Sequence, residues 1–126
     1  MFTLEVDAEF AAAHQLRHYR GRCENLHGHN WRVRLAVAGR RLDEAGMLVD
    51  FTLLKRWLRE ELETMDHQFL NEIPPFDAVN PTSENIARLL AERLAPRLPE
   101  GVAVAYVRVW ESARASATYS AVNSEQ

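Results

Sequence analysis

The sequence predicts an α+β fold, with a four-stranded antiparallel sheet and two helices on one of its faces. Apolar residues alternate with polar ones near both ends of the chain, whereas in the middle they recur every three or four residues. Strands grouped at the ends and helices grouped between them favour antiparallel pairing. At 126 residues, we expect residues 1–126 to form a single domain with its own core.

The N-terminal third of the chain contains two predicted strands. In residues 2–14 the even positions, which end at His14, are mostly apolar, and positions 3, 5, 7 and 9 are Thr, Glu, Asp and Glu. The run "HGHNWRVRLAVAG" alternates in the same way and ends at Gly39. It places His27, His29 and Trp31 on one side of the second strand.

Two helices are predicted in the middle of the chain. The first begins after Asp50, a plausible N-cap, and its apolar stripe continues to Met65. The second begins at "TSEN", with Thr82 or Ser83 as the cap, and its apolar face comprises Ile86, Leu89, Leu90, Leu94 and Leu98. The intervening residues 66–81, rich in proline and asparagine, are predicted to form a loop.

The C-terminal part contains two further predicted strands. Alternation over residues 102–111 predicts a strand with one face formed by Ala103, Ala105, Val107, Val109 and Glu111. A weaker pattern over residues 115–122 predicts the fourth strand.

Composition narrows the classes of function. A net charge of −3 argues against nucleic-acid binding, which usually needs a concentrated basic surface. Arg17, Arg20 and Arg22 form either a solvated loop or a contact for an anionic substrate.

The single cysteine excludes an internal disulfide. The N-terminus lacks a signal-peptide pattern and no run is long enough for a membrane span, so we expect a cytoplasmic protein.

Three histidines are predicted to converge at one end of the sheet. His14 ends the apolar face of the first strand, and His27 and His29 begin that of the second. Three imidazoles with one open position are typical of catalytic zinc. Two other readings of these residues stay open: each histidine is a hydrogen-bonded core residue, or Cys23 is the fourth ligand of a closed structural site.

Other reactive groups favour chemistry over a purely structural site. Asp66 precedes His67, and a carboxylate paired with an imidazole raises its basicity, although a helix-end histidine is the simpler explanation of that pair alone. Glu111 ends an inward face, where a carboxylate must be paired, protonated or available to a ligand. A flat heterocycle with adjacent N–H donors would satisfy it.

Six ordered blocks resemble one known family over nearly the whole chain. They are "FAAAHQL", "CENLHGHNWRV", "LVDF", "MDHQFLN", "NPTSENIA" and "VRVWES". The sequence resembles the superfamily of 6-pyruvoyl-tetrahydropterin synthases and 6-carboxy-tetrahydropterin synthases. The resemblance implies a tunnelling fold, in which subunits close into trimeric barrels and two barrels stack as a homohexamer with active sites at the subunit interfaces.

The resemblance also implies a role for each motif residue. It implies that Zn²⁺ is held by His14, His27 and His29, that Cys23 is the general base and that Asp66 and His67 relay protons. It further implies that Glu111 anchors the amino-pyrimidine edge of a pterin, and that Thr82, Ser83 and Glu84 line the pterin pocket. A thiolate beside a metal and an imidazolium has a lowered pKa, which suits a base outside the metal's coordination shell.

The spacing "C-ENL-H" resembles the bacterial 6-carboxy-tetrahydropterin synthases of queuosine and other deazapurine biosynthesis. The implied reaction converts 7,8-dihydroneopterin triphosphate to 6-carboxy-5,6,7,8-tetrahydropterin, acetaldehyde and triphosphate. Glu24 leaves open a folate-type aldolase giving 6-hydroxymethyl-dihydropterin, alone or as a second activity. The sequence also leaves open a 6-pyruvoyl-tetrahydropterin synthase and a zinc-stabilised binding module without catalysis.

Overall fold

The computed structural model describes residues 1–17 and 25–120. In this part of the chain five strands form one mixed sheet in the order β3-β1-β2-β4-β5. They span Phe2–His14 (β1), His27–Gly39 (β2), Gln68–Phe69 (β3), Val102–Ser112 (β4) and Ala115–Ser120 (β5). The α+β class is therefore confirmed, but the predicted four-stranded antiparallel sheet is wrong: β3 adds a fifth strand, parallel to β1.

The extra strand lies within the segment predicted to be a loop. It pairs with Ala12 and Ala13 over only two residues, too few to show any alternation in the sequence. Just before it, His67 has a φ of 60° and donates its backbone N–H to the carbonyl of Ala11 at 2.6 Å. This left-handed turn redirects the chain from the first helix onto the edge of β1.

Both predicted helices are confirmed with their caps. Helix α1 spans Phe51–Glu63, and the Asp50 side chain accepts the N–H of Thr52 at 2.8 Å. Helix α2 spans Ser83–Leu94 and is capped by Thr82. Met65 lies beyond the end of α1 and Leu98 beyond that of α2, although both pack against the core. No helix within residues 1–17 and 25–120 is long and apolar enough to cross a membrane.

The hydrophobic core lies between the two helices and one face of the sheet. Even-numbered residues of β1, odd-numbered residues of β2 and the valines at 104, 107 and 109 of β4 contribute the sheet side, and each helix contributes one apolar stripe. Its largest fully buried side chains include Trp31, Leu35, Leu58 and Leu90. The outer face of the sheet is polar, and there Asp7 pairs with Arg32 and Arg34.

The predicted inward face of β4 is only half right. Val107 and Val109 are buried, but Ala103 is exposed and Val104 is buried in its place. Tyr106 pairs with Ala36 and Val104 pairs with Val37, so Ala105 is the additional residue of a β-bulge. A bulge reverses the alternation beyond it, and Ala103 therefore faces the other side of the sheet.

Candidate metal centre and active site

The sheet register brings the ends of three strands together. His14, the last residue of β1, lies directly opposite His27, the first residue of β2. Two residues further along β2, His29 lies opposite Ala12. Glu111 is the penultimate residue of β4, which pairs with the other side of β2. Because these strands are antiparallel neighbours, their inward side chains meet at one end of the core.

His14, His29 and Glu111 form a compact group of potential metal ligands. Glu111 Oε2 lies 3.0 Å from His14 Nε2 and 3.4 Å from His29 Nε2. One ligand atom from each of the three residues lies within 4.8 Å of the others. His14 is 1% exposed, whereas the side chains of His29 and Glu111 are 23% and 36% exposed. The group is thus closed on the core side and open outward.

The hydrogen bonds of His14 fit a cation at this group. Its Nδ1 lies 2.8 Å from the carbonyl oxygen of Pro81, and because a carbonyl only accepts, Nδ1 must carry a proton and donate. Nε2 then faces a carboxylate oxygen, an arrangement that needs a positive charge or a shared proton between them. A metal ion satisfies this requirement, and the carbonyl bond orients the ring as in many metal-ligating histidines.

Trp31 forms the floor of this group. Its ring is fully buried and lies edge-to-face with His14 and His29, with centroid distances of 4.9 and 5.2 Å. Its Nε1–H donates to the carbonyl of Ala12 at 3.2 Å, which satisfies the only polar atom of the side chain. An indole held in this way restricts the rotamers available to both imidazoles.

Two other predicted residues of the motif stand apart from this group. His27 is exposed and outside the three-residue group, and its ring stacks on that of His29 with centroids 6.0 Å apart. Its predicted role as the third zinc ligand stays a prediction. Cys23 and Glu24, together with Arg20 and Arg22, lie outside the described residues.

Asp66 and His67 are brought together as a pair. Asp66 Oδ2 lies 3.1 Å from His67 Nδ1, while Oδ1 accepts the backbone N–H of Ala11 at 2.9 Å. The Ala11 N–H is the main cause that lowers the pKa of Asp66, and the charge of His67 lowers it further. An ionised carboxylate that holds Nδ1–H leaves Nε2 of His67 free to exchange a proton. The His67 side chain is 81% exposed.

An open groove is lined by one residue from each part of the site, His29 and His67. Its volume is ≈ 510 Å³, and the ends of β1 and β2, the turn before β3 and β3 itself line it. His29 lies in one wall and His67 in another. A groove of this size accommodates a small heterocycle, because ligand pockets typically measure about 300–1,000 Å³.

The segment predicted to line a pterin pocket begins α2 beside this site. Thr82 accepts the N–H of Asn85 at 3.1 Å as the N-cap, and Ser83 and Glu84 form the first turn. The preceding Pro81 supplies the carbonyl that binds His14. Sequence reasoning missed the roles of Pro81 and Trp31. Trp31 shares a strand face with His29 and was therefore detectable, whereas a backbone carbonyl leaves no signal in the sequence.

The fold and the site together define an α+β protein with a candidate metal centre at the end of its sheet. Its particular family follows from comparison with known proteins. The model of the 6-pyruvoyl tetrahydropterin synthase family matches residues 3–122. The chain belongs to this family, which confirms the resemblance seen in the sequence.

Individual relatives are similar over most of the chain. A 6-carboxy-5,6,7,8-tetrahydropterin synthase of Synechocystis is 39% identical over 99 residues, which cover 75% of each chain. A dihydroneopterin monophosphate aldolase of Pyrococcus furiosus is 35% identical over 104 residues, covering 82% of this chain and 84% of the relative. The structure of a Caenorhabditis elegans 6-pyruvoyl tetrahydropterin synthase superposes with a TM-score of 0.82 at 25% identity, covering 96% of both chains.

Proposed function

We propose that this protein is a zinc-dependent 6-carboxy-5,6,7,8-tetrahydropterin synthase that acts in the cytoplasm in queuosine biosynthesis. Its substrates would be 7,8-dihydroneopterin triphosphate and water, and its products 6-carboxy-5,6,7,8-tetrahydropterin, acetaldehyde and triphosphate. The observation that carries the proposal is the buried His14, oriented by the Pro81 carbonyl so that Nε2 faces His29 and Glu111. The Synechocystis relative supports the choice of product.

In this proposal His14, His27 and His29 hold the zinc ion. When bound, zinc supplies Lewis acidity that stabilises negative charge developing on an oxygen of the substrate side chain. Two of these residues already have converging Nε2 atoms, and His27 lies opposite His14 on the neighbouring strand. Glu111 would be released from the imidazoles to accept the N–H donors of the pterin ring.

Proton transfer in this proposal belongs to residues outside the metal's coordination shell. Cys23 removes a proton from a side-chain carbon of the substrate. The Asp66 carboxylate holds Nδ1–H of His67, so that Nε2 of His67 can deliver or receive a proton at a substrate oxygen. The groove that His29 and His67 both line gives the substrate a position between these groups.

The oligomer is part of the same proposal. The family resemblance implies a homohexamer built from two trimers, with substrate sites completed at the interfaces. Light scattering should give a mass about six times that of the 14.5 kDa chain. A monomer that turns over substrate would contradict this part of the proposal.

Product identification tests the proposed activity. The purified, zinc-loaded protein is incubated with 7,8-dihydroneopterin triphosphate, and the pterin product is identified by mass. We expect 6-carboxy-tetrahydropterin together with acetaldehyde. A pyruvoyl-pterin as the product would assign the chain to the other synthase of the family.

A folate-type aldolase is the second candidate, because the Pyrococcus furiosus relative carries the name of an aldolase and Glu24 directly follows Cys23. The same assay separates the two activities, since an aldolase gives 6-hydroxymethyl-dihydropterin. If both products appear, Glu24→Gln should remove only the hydroxymethyl product. Loss of both products in that variant would argue against a separate aldolase role.

Cys23→Ala tests whether the cysteine is a base or a ligand. We expect this variant to retain zinc at the wild-type stoichiometry and to lose about 10²–10⁴-fold in kcat, the usual contribution of a positioned base. Zinc content is measured by elemental analysis after gel filtration. Loss of zinc in the variant would make Cys23 a ligand.

A further inference from the structure

We propose that Asn71 and Asn80 are positioning residues for Cys23, because they hold Gln15 and Arg17, which come between β1 and the cysteine in the chain. The inference rests on the proposed function only for the role of Cys23 as a base. Both asparagines lie between β3 and α2, Asn71 in the 3₁₀ helix Leu70–Glu72 and Asn80 in the loop that follows it, outside the groups assigned to metal, proton relay or pterin. Each binds the backbone of a residue that comes after His14 in the chain.

Asn71 pairs with both backbone groups of Gln15. Its Oδ1 accepts the N–H of Gln15 at 2.9 Å, and its Nδ2 donates to the Gln15 carbonyl at 2.7 Å. A side-chain amide has the same donor and acceptor as a peptide group, so Asn71 pairs with Gln15 as the backbone of a neighbouring strand would.

Asn80 repeats the same arrangement two residues further along the chain. Its Oδ1 accepts the N–H of Arg17 at 2.8 Å, and its Nδ2 donates to the Arg17 carbonyl, also at 2.8 Å. In an extended chain, residues i and i+2 present their backbone groups to the same edge. The two amides therefore continue strand-like pairing beyond His14, where β1 ends.

The chain that carries these amides has further contacts with α2 and with the Arg17 side chain. The Asn80 carbonyl accepts Nδ2–H of Asn85 at 2.9 Å, and the Arg17 guanidinium donates to the Phe76 carbonyl at 2.6 Å. The next residue after Asn80 is Pro81, whose carbonyl orients His14. One loop thus holds a candidate metal ligand and the chain immediately after it.

The residues bound by the two amides are close to Cys23 in the sequence. Cys23 comes six residues after Arg17 and four before His27, the first residue of β2. The amide pairs hold Gln15 and Arg17 before Cys23, and sheet pairing holds His27 after it. A base must lie within hydrogen-bond reach of the proton that it removes, and a misplacement of about 1 Å can cost about 10²-fold in rate.

The test removes the side-chain amides of Asn71 and Asn80 and measures the reactivity of the Cys23 thiol. Because Cys23 is the only cysteine in the chain, the rate of alkylation by iodoacetamide reports on this residue alone. In zinc-loaded Asn71→Ala/Asn80→Ala we expect an alkylation rate at least roughly threefold different from wild type, since thiol reactivity follows access and pKa. We expect kcat to fall about tenfold or more, with KM changed less than about threefold.

The matched control is Asp43→Ala, which deletes a side chain that accepts two backbone N–H groups, those of Ala45 and Met47, in the loop before α1. This control variant should lower the free energy of unfolding without changing the alkylation rate of Cys23, kcat or zinc content. If the double variant folds and iodoacetamide alkylates its Cys23 at the wild-type rate, the inference is overturned. It would be overturned even if the wild-type protein makes the proposed product.

Two further measurements keep the inference testable if the double variant does not fold. Asn71→Ala and Asn80→Ala are assayed singly, with the same threefold criterion for alkylation. In the wild-type protein, amide hydrogen exchange should show protection of the Gln15 and Arg17 N–H groups comparable to that within β1. Exchange of both amides at unstructured rates would contradict the inference, and neither measurement depends on the pterin reaction.

Discussion

The two halves of the candidate site are built in opposite ways. The metal half has His14 fully buried at the end of a long strand, and its ring is fixed by the Pro81 carbonyl and the Trp31 indole. The proton-relay half has His67 on a left-handed turn, with its side chain 81% exposed. In our proposal, the metal ligands, which must keep fixed positions, lie on the sheet, and the imidazole that would exchange protons lies at its rim.

A single strand nevertheless connects the two halves. Ala11 of β1 donates its N–H to Asp66 and accepts the N–H of His67 through its carbonyl. Three residues later the same strand ends in His14. The position of the exposed pair relative to the metal half is therefore set by β1, although the turn itself is open to solvent.

The largest expected effect comes from a change in the metal half. His14→Ala should abolish zinc binding at stoichiometric concentration and remove all measurable turnover, because it deletes the most enclosed candidate ligand. Zinc content and product formation are measured on the same preparation. Retention of zinc in this variant would place the metal elsewhere.

A change in the proton-relay half should lower turnover without loss of zinc. Asp66→Asn keeps an oxygen that can accept the Ala11 N–H but removes the charge beside His67. We expect kcat to fall about 10²-fold or more, with zinc content unchanged. Asp43→Asn, which alters another carboxylate that accepts backbone N–H groups, is the control and should leave kcat unchanged. A variant Asp66→Asn with wild-type kcat would remove the pair from the mechanism.

A substitution of Trp31 should have an intermediate effect on the metal half. Trp31→Phe removes a buried N–H that donates to Ala12, which should lower the free energy of unfolding by about 1–3 kcal/mol. Because the indole also supports both imidazoles, zinc affinity should fall about tenfold, as for other groups that orient ligands. Trp57→Phe, on the partly buried face of α1, should lower stability without this loss of affinity. Equal zinc affinity in both variants would contradict the role of Trp31.

The smallest effect concerns acid stability at the exposed half. The Ala11 N–H, followed by the charge of His67, lowers the pKa of Asp66 below its ordinary 3.8. A depressed carboxyl pKa contributes stability that is present above the unfolded value and lost as pH falls through the folded value. The difference in unfolding free energy between wild type and Asp66→Asn should therefore be present at about pH 6 and shrink at about pH 2. Urea titrations at both pH values measure it; a constant difference would contradict the assignment.

Much of this molecule could be predicted from alternation alone. The alternation of apolar and polar residues in β1 and β2 predicted that His14 and His29 share one face. The capping residues of both helices followed from their sequences. Alternation failed where the backbone departs from a regular strand. The bulge at Ala105 reverses the face of Ala103, and a two-residue strand such as β3 has no period to detect.

The contacts that complete the site were not predictable in the same way. The bond from His14 to Pro81 joins residues 67 positions apart, and the amide pairs of Asn71 and Asn80 join segments more than 50 positions apart. Each uses a backbone group, which every residue carries, so side-chain identity gives no signal for it. Only the folded arrangement of the loop before α2 reveals these contacts.

The position of zinc tests the central claim most directly. Crystals of the zinc-loaded protein give an anomalous difference map at the zinc absorption edge. We predict one peak at the strand ends, bonded at about 2.0–2.1 Å to nitrogens of His14, His27 and His29, with the Cys23 sulfur outside bonding distance. A peak bonded to Cys23, a peak bonded to Glu111 in place of His27, or no peak at the strand ends would contradict this account.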